Sequence, residues 1–460
     1  MTTYLLRRLL LMFPTLFGIT LIVFVVMAAS PGGISAQSLV EGMNLEPQAK
    51  KAMEDYYNRM YGLDQPAPMQ YLRWLNNVSP VGFTFDAEHR VAGFSFWKGS
   101  DLGTSFRYGR PVLELIGERL PITLLLNVIS IPIIYVIAIV VGVHAATQRG
   151  KTFDRASSVT LLGLWSVPTM LAGVLLIGFF ASDQYWRWFP TSGISRREAL
   201  DMPFLPHWGA STDVLLLFVL AALCTAALAI LSLRGGTRLR TGGMGLLGAI
   251  AGYLMAAGVA GHGFGVLHLL LGLSLAGLFA LVGWTEYRAL RTGCMGLIGL
   301  FAGLMLAGAF AQGEFVRGFL FDRLWHLALP VICLSYGGFA FLAKLTRTAV
   351  LENLLSDYAR TARAKGVAER DVLWRHVFRN SLLPLITVSA SLLPGLLAGS
   401  VVVEALFSID GMGKLAVEAV QSRDREVVLS ITLISGLLTL AGYLIADVCY
   451  AIADPRVSYD

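Results

Sequence analysis

Between Lys344 and Arg379 the chain carries eight Lys or Arg (344, 347, 360, 363, 365, 370, 375 and 379) against four acids (352, 357, 369 and 371). The stretch interrupts two of the most apolar segments in the protein, and basic residues between apolar spans mark the cytoplasmic side of a membrane protein. The chemistry available here is recognition rather than bond breaking. Apart from Gly366 the pattern predicts two helices, Ala343 to about Lys365 and about Glu369 to Leu382. Gly366 supplies the backbone freedom to turn between them. Two short helices with a glycine elbow and projecting Arg and Asp form a docking surface for a soluble partner.

Other chemistries lack their residues. No GxxxxGK[ST] phosphate loop occurs, so ATP hydrolysis is not expected in this chain. No GxSxG elbow, zinc-binding helix or paired mid-membrane carboxylates are present, which argues against a membrane enzyme and a proton-coupled carrier. Cys224, Cys294, Cys333 and Cys449 lie in apolar segments without paired spacing and read as small buried residues. His262 and His268 stand six apart beside glycines, not in a metal-binding spacing. No metal or cofactor is expected. Asp447 is the one acidic residue within a span, near its inner end, and reads as an interfacial anchor.

The elements that must position the basic stretch are membrane spans. Of 460 residues, 55% are hydrophobic and 14% charged, the balance of an all-α integral membrane protein. The net charge of +6 sits mostly in short loops and needs no nucleic acid. Met1–Ala29, with Arg7-Arg8 ahead of about twenty apolar residues, predicts a first transmembrane helix rather than a cleaved signal. Residues 30–119 hold nine basic and ten acidic residues, a balance that suits an external domain, with an amphipathic helix around Tyr71–Leu75. Residues 120–212 supply two further spans, Leu120–Ala145 and Ser158–Phe180, the latter with Pro168 as a tolerated kink, then an external loop bearing an aromatic belt at Tyr185–Pro190.

Residues 213–318 form a block of four apolar runs at 213–233, 244–262, 264–284 and 294–312. Its inward loops are basic, with Arg234, Arg238 and Arg240, then Arg288 and Arg291. Arg240–Gly252 recurs 51 residues on as Arg291–Gly303, and Gly248/Gly252 and Gly299/Gly303 give each copy a small-xxx-small face. The repeat reads as a duplicated helical hairpin. Residues 319–460 hold the last spans around the 344–380 loop, with Glu404–Glu426 outside and Val427–Tyr450 returning inward. About ten helices result, with both termini inside.

The residues Asp357-Tyr358-Ala359-Arg360-Thr361-Ala362-Arg363-Ala364-Lys365-Gly366 and Arg375-His376-Val377-Phe378-Arg379-Asn380-Ser381-Leu382-Leu383-Pro384 resemble the coupling loop of ABC-transporter permeases, most closely the dipeptide, oligopeptide and nickel importers. The general Glu-Ala-Ala pattern before Gly is here Arg360-Thr361-Ala362, and the usual Ile-x-Leu-Pro is replaced at His376–Arg379. Both departures are usual in the peptide-type subfamily. Pro31-Gly32-Gly33 in place of Pro-Gly-Asp-Pro is similar to the microcin- and long-peptide-type branch, and Asp454-Pro455-Arg456 resembles the family's tail. The resemblance covers roughly 1–212 and 320–460 and leaves the four-helix block outside it.

What the resemblance implies is a six-helix permease core with a four-helix insertion, serving a binding-protein-dependent importer for peptides or a similar solute in the inner membrane. Its partners would be a second permease subunit, two ATP-binding subunits and a periplasmic or extracellular solute-binding protein. Asp357, Arg360, Thr361, Ala362, Arg363, Lys365, Gly366, His376, Arg379 and Asn380 would couple to the ATPase. Ser389, Ser391, Gly395 and Gly399 on the outward-going span are candidates to line the path, with helix packing as their other use. The rival class is a secondary carrier or channel that needs no ATPase.

Overall fold

The computed structural model describes the chain except residues 1, 31–45, 62, 86–90, 209–210, 262, 312, 314 and 454–460, and except the side chains at 389–399 and a few other positions. Pro31-Gly32-Gly33, His262 and the Asp454-Pro455-Arg456 tail therefore lie outside the described residues. The helices are α1 (Thr2–Ala29), α2 (Pro47–Tyr61), α3 (Ala67–Val78), α4 (Val112–Thr147), α5 (Thr152–Ser166), α6 (Thr169–Phe180), α7 (Ser211–Arg234), α8 (Thr237–Ala260), α9 (Val266–Trp284), α10 (Arg288–Phe310), α11 (Gly318–Leu354), α12 (Asp357–Ala364), α13 (Arg379–Leu406), α14 (Met412–Gln421) and α15 (Arg425–Ala453). Among the described residues strands form two small antiparallel pairs, β1 (Gly82–Phe85) with β2 (Val91–Ser95) and β3 (His207–Trp208) with β4 (Phe315–Val316).

Eight described helices are long and apolar enough to cross a membrane: α1, α4, α7, α8, α9, α10, α11 and α15. The α5–α6 pair adds a ninth if it forms one span, although it is bent by 96° at Val167–Pro168. Pro168 thus breaks the helix instead of kinking it, as expected where the ring prevents the preceding residue from staying helical. The tenth expected span corresponds to α13. This is an all-α integral membrane protein.

The chain divides into two compact units, residues 1–173 with 330–460, and residues 174–329. In the first, α1 and α15 run side by side with opposite direction: Arg8 pairs with Asp447 at 3.0 Å, and Leu16 lies against Gly436. Asp447 is therefore held by Arg8, near the start of the first span. Helix α3 docks on the same pair. The Tyr71 ring lies 5.9 Å from Phe17 and 5.1 Å from Phe24, its hydroxyl donates to the Phe17 carbonyl at 3.2 Å, and Trp74 is buried beside it. Strands β1 and β2 carry no long apolar run and were not expected.

Helix α14, within the segment expected only to be an external loop, is anchored by a buried carboxylate. Glu404 Oε2 accepts the Lys414 N–H at 3.1 Å and its Oε1 accepts Thr123 Oγ1 at 2.7 Å, while Thr123 Oγ1 accepts the Met412 N–H at 2.8 Å. A carboxylate at a helix N-terminus satisfies orphan donors and faces the positive end of the dipole. Gly411 and Gly413 make room for it: a Cβ there would stand 2.4 and 2.9 Å from the Glu404 carboxyl group.

In the second unit β3 and β4 pair His207 with Val316 and Trp208 with Phe315, so the chain enters and leaves the four-helix block through one short ladder. The glycines of the repeat do what their spacing predicts. A Cβ at Gly248 or Gly252 would stand 2.3 Å from Leu275 O or Leu271 O of α9. At Gly299 it would meet Cys224 O at 2.5 Å, and at Gly303 the Cα of Ala221 at 2.6 Å, both on α7. The tight pairs are therefore α8 with α9 and α7 with α10, each joining one copy of the repeat to the other. The repeat reads in the sequence as a duplicated helical hairpin; in the structure the two copies pack by exchanging partners. The cysteines also depart from expectation: Cys333 is buried, Cys224 and Cys294 are half-buried, and Cys449 is exposed.

Candidate functional site

The basic stretch folds as a helix, a break, a short helix, a glycine turn and a second helical run. The first predicted helix is split: α11 ends at Leu354 and α12 begins at Asp357, with Ser356 extended between them (φ −68°, ψ 156°). Ser356 Oγ donates to Asn353 O at 2.6 Å, a local bond that competes with continuation of the helix. The amide of Asn353 donates to Ser381 Oγ at 3.1 Å and accepts from Tyr358 OH at 2.5 Å, tying α11, α12 and α13 together.

Helix α12 ends in a Schellman motif. Gly366 has φ +76°, the Val367 N–H bonds to Ala362 O at 3.2 Å, and the Gly366 N–H bonds to Arg363 O at 2.9 Å. Val367 packs into the same apolar cluster as Ala362, the hydrophobic contact that accompanies this cap. The expected turn at Gly366 is thus present, and it is required by conformation rather than by space, since a Cβ there would meet nothing within 4 Å.

Only one face of α12 is buried. Ala359 and Ala362 join Val143 and Ala146 of α4, Val350 of α11, and Val372 and Val377 in an apolar seat. Small alanines bring the α12 backbone down onto that seat. Asp357, Arg360, Thr361, Lys365 and Gly366 are exposed, with Asp357 and Arg360 at 3.5 Å from one another. Arg363 is partly withdrawn: its Nε donates to Glu369 Oε1 at 2.6 Å and an Nη donates to Leu354 O at 3.2 Å, linking the end of α11 to the residues beyond the turn.

Beyond the turn, Glu369–Asp371 opens a helical run whose next seven residues, Val372–Phe378, are π-helical before α13. A π stretch widens the helix and is common at functional sites. His376, Arg379 and Asn380 are exposed there, while Ser381 is buried and donates to Ala349 O at 3.2 Å. Of the sequence-derived candidates, nine share exposed or half-exposed surface on this loop, and Ala362 is buried beneath it.

The seat itself is braced. Arg347 of α11 forms a two-pronged pair with the 6%-exposed Asp154 of α5, which also accepts the Gly150 N–H at 2.9 Å. Gly142 of α4 lets α11 approach so closely that a Cβ would stand 2.7 Å from Ala343 O. The bracing roles of Asp154, Arg347, Asn353 and Ser381 were not read from the sequence, where Arg347 counts only as one of the basic residues and Ser381 only as part of the resembling motif. Their one further signal was polarity within or beside otherwise apolar runs. Ser389, Ser391, Gly395 and Gly399 lie on α13 in the stretch whose side chains are outside the described residues.

Comparison with known proteins adds independent findings. Residues 138–459 match the family described as binding-protein-dependent transport system inner membrane component, and residues 1–127 match its N-terminal companion family. The chain is 30% identical to the oligopeptide transport system permease protein AppB of Bacillus subtilis (strain 168), over the whole of both chains. It is 24% identical to the inner membrane ABC transporter permease protein YejB of Escherichia coli O157:H7 and 27% identical to a putative peptide transport system permease protein of Brucella abortus (strain 2308), again over the whole of each.

Proposed function

This chain belongs to the binding-protein-dependent transport system inner membrane component family, a permease component of an ABC importer and not an enzyme, and from that premise we propose that it couples ATP hydrolysis in partner subunits to import of peptides or a similar small solute. The partners in this reading are a second permease subunit, two ATP-binding subunits and an external solute-binding protein. The setting is the inner membrane, with residues 344–380 and both termini in the cytoplasm and residues 30–119 outside.

The observation that carries the proposal is the construction of α12. A short helix shows charged groups outward, rests on an apolar seat made by α4 and α11, and is closed by a glycine cap that fixes its direction. Such a helix fits a groove in an ATPase subunit and moves with the spans beneath it. Closure of the ATPase pair then pulls α12, and the braces at Asp154–Arg347 and Asn353–Ser381 convert that pull into tilting of α11 and α13. The path lies between this chain and the second permease, and Ser389, Ser391, Gly395 and Gly399 remain its proposed lining. The four-helix block stands outside the transport step.

The test is uptake driven by ATP in the reconstituted complex carrying Gly366→Val. Loss of uptake with intact ATPase association and binding-protein docking is the expected result; normal uptake overturns the coupling role. Topology is checked separately by an impermeant thiol reagent in intact cells, which should label cysteine at 79 or 421 and spare cysteine at 368.

A further inference from the structure

We propose that the four-helix block carries a binding site for the phosphate headgroups of anionic phospholipids, formed where Arg234, Arg238, Arg240, Arg288 and Arg291 gather at one end of its bundle. The exchanged pairing brings the two inter-helix turns together. Gly283 of α9 lies so close to Arg240 that a Cβ would stand 2.7 Å from its carbonyl oxygen. Arg291 of α10, buried, donates to Ser232 Oγ at 3.1 Å and Ser232 O at 3.0 Å on α7, and to Thr285 O at 2.9 Å. Both copies of the repeat thus present their basic turns side by side, with Arg291 locking them.

The remaining arginines are not used by the fold in this way. Arg240 makes one long bond to Ser232 O (3.5 Å) and one to the exposed Thr237 Oγ1 (3.2 Å) in its own helix turn. Arg234, Arg238 and Arg288 are exposed, and no ion pair to them occurs among the described residues. Glu286 is the one acid between Arg234 and Arg240 or between Thr285 and Arg291. Arg238, Arg240, Arg288 and Arg291 also occupy the first turns of α8 and α10, where the helix dipole disfavours cations. Their placement opposes helix stability and is relieved by a bound anion.

The flanks select a lipid over a soluble phosphate. Leu233, Leu239, Trp284 and Tyr287 are exposed at the same end, the mix of apolar and amphipathic aromatic groups that sits at the headgroup level. Forked guanidinium groups bind phosphate oxygens in pairs, and a basic cluster at the end of spanning helices attracts anionic lipid. The inference is independent of the transport reading, because it concerns only the block and the adjacent leaflet.

The experiment uses the full-length chain in nanodiscs of equal phosphatidylglycerol and phosphatidylcholine, with retained lipid counted by native mass spectrometry. The wild type is expected to hold phosphatidylglycerol in excess, and R234Q/R238Q/R288Q to lose that excess several-fold with phosphatidylcholine unchanged. Equal retention of both lipids by the wild type, or an undiminished excess in the glutamine triple, overturns the site. Should the glutamine triple fail to insert, R234K/R238K/R288K keeps the charge but not the fork. A reduced excess in it supports the proposal, and a wild-type excess overturns it.

Discussion

At Gly303 a Cβ would stand 2.6 Å from the Cα of Ala221, whereas at Gly366 it would meet nothing within 4 Å. Gly303 has ordinary helical backbone in α10; Gly366 has φ +76° at the end of α12. One glycine serves space, the other conformation. In the four-helix block, backbones touch across pairs and every added atom displaces a neighbouring helix. In the 344–384 loop the helix lies on side chains, and the glycine decides where the chain goes next. The two regions should therefore answer to different substitutions: the block to size, the loop to backbone freedom.

The largest expected effect breaks the block. Gly303→Leu should lower unfolding stability by about 1–3 kcal/mol or more, read as a fall in the thermal midpoint of the purified protein in detergent. Gly308→Leu, on the same helix but with open space around its Cβ, should leave the midpoint near wild type. Equal shifts for the two would show that the α7–α10 contact is not as described.

A smaller effect, confined to the loop, separates conformation from contact. Gly366→Val must adopt a left-handed backbone at about 1–2 kcal/mol, and ATP-driven uptake should fall steeply. Gly366→Asn tolerates that backbone and should keep most uptake. If Asn were as damaging as Val, a partner lying against Gly366, rather than the turn, would be the reason for the glycine.

Smaller again is the arginine contrast. Arg363 is bonded within the loop, so Glu369→Ala should lower stability by about 0.2–1 kcal/mol, the range for a partly exposed pair. Arg360→Gln should leave stability unchanged and weaken ATPase association, more at low salt than at high salt. Equal effects of Arg360→Gln at both ionic strengths would remove its electrostatic role.

The smallest effect concerns Asp424, which accepts bonds from Ser105 Oγ and the Arg107 N–H. Burial pushes its carboxyl above the ordinary carboxylate range, with the hydrogen bonds only partly opposing this. The native state then holds the proton to higher pH than the unfolded chain. That contribution is full below the ordinary value of 3.8 and is lost as pH rises through the native one. Thermal midpoints measured from pH 4 upward should fall slightly more in the wild type than in Asp424→Asn; parallel curves would contradict this.

What could be read from the sequence followed from one-dimensional signals. The apolar spans, the basic interruption at 344–380, the turn at Gly366 and the glycine faces of the repeat all rest on local period or composition. What could not be read depends on partners far along the chain. Glu404 meets Thr123 across 281 positions, and Arg347 meets Asp154 across 193. Nothing near Glu404 distinguishes a buried helix anchor from an external acid. The break at Ser356 was hidden because Ala343–Lys365 keeps a continuous helical pattern and one hydroxyl bond suffices to interrupt it. The exchange of partners in the block was hidden for another reason: a glycine stripe says that a helix will be approached closely, not by which neighbour.

That exchange has a consequence for the order of synthesis. When α7 and α8 have emerged from the ribosome, neither has its tight partner, because α8 pairs with α9 and α7 with α10. The α8 glycine stripe must wait for the second copy, and α7 must wait for the last helix of the block. A chain halted after α8 is therefore an unfinished bundle rather than half of a finished one, open to capture by the same segment of a neighbouring molecule. The β3–β4 ladder waits too, because its second strand follows α10 and is synthesised only after all four helices of the block.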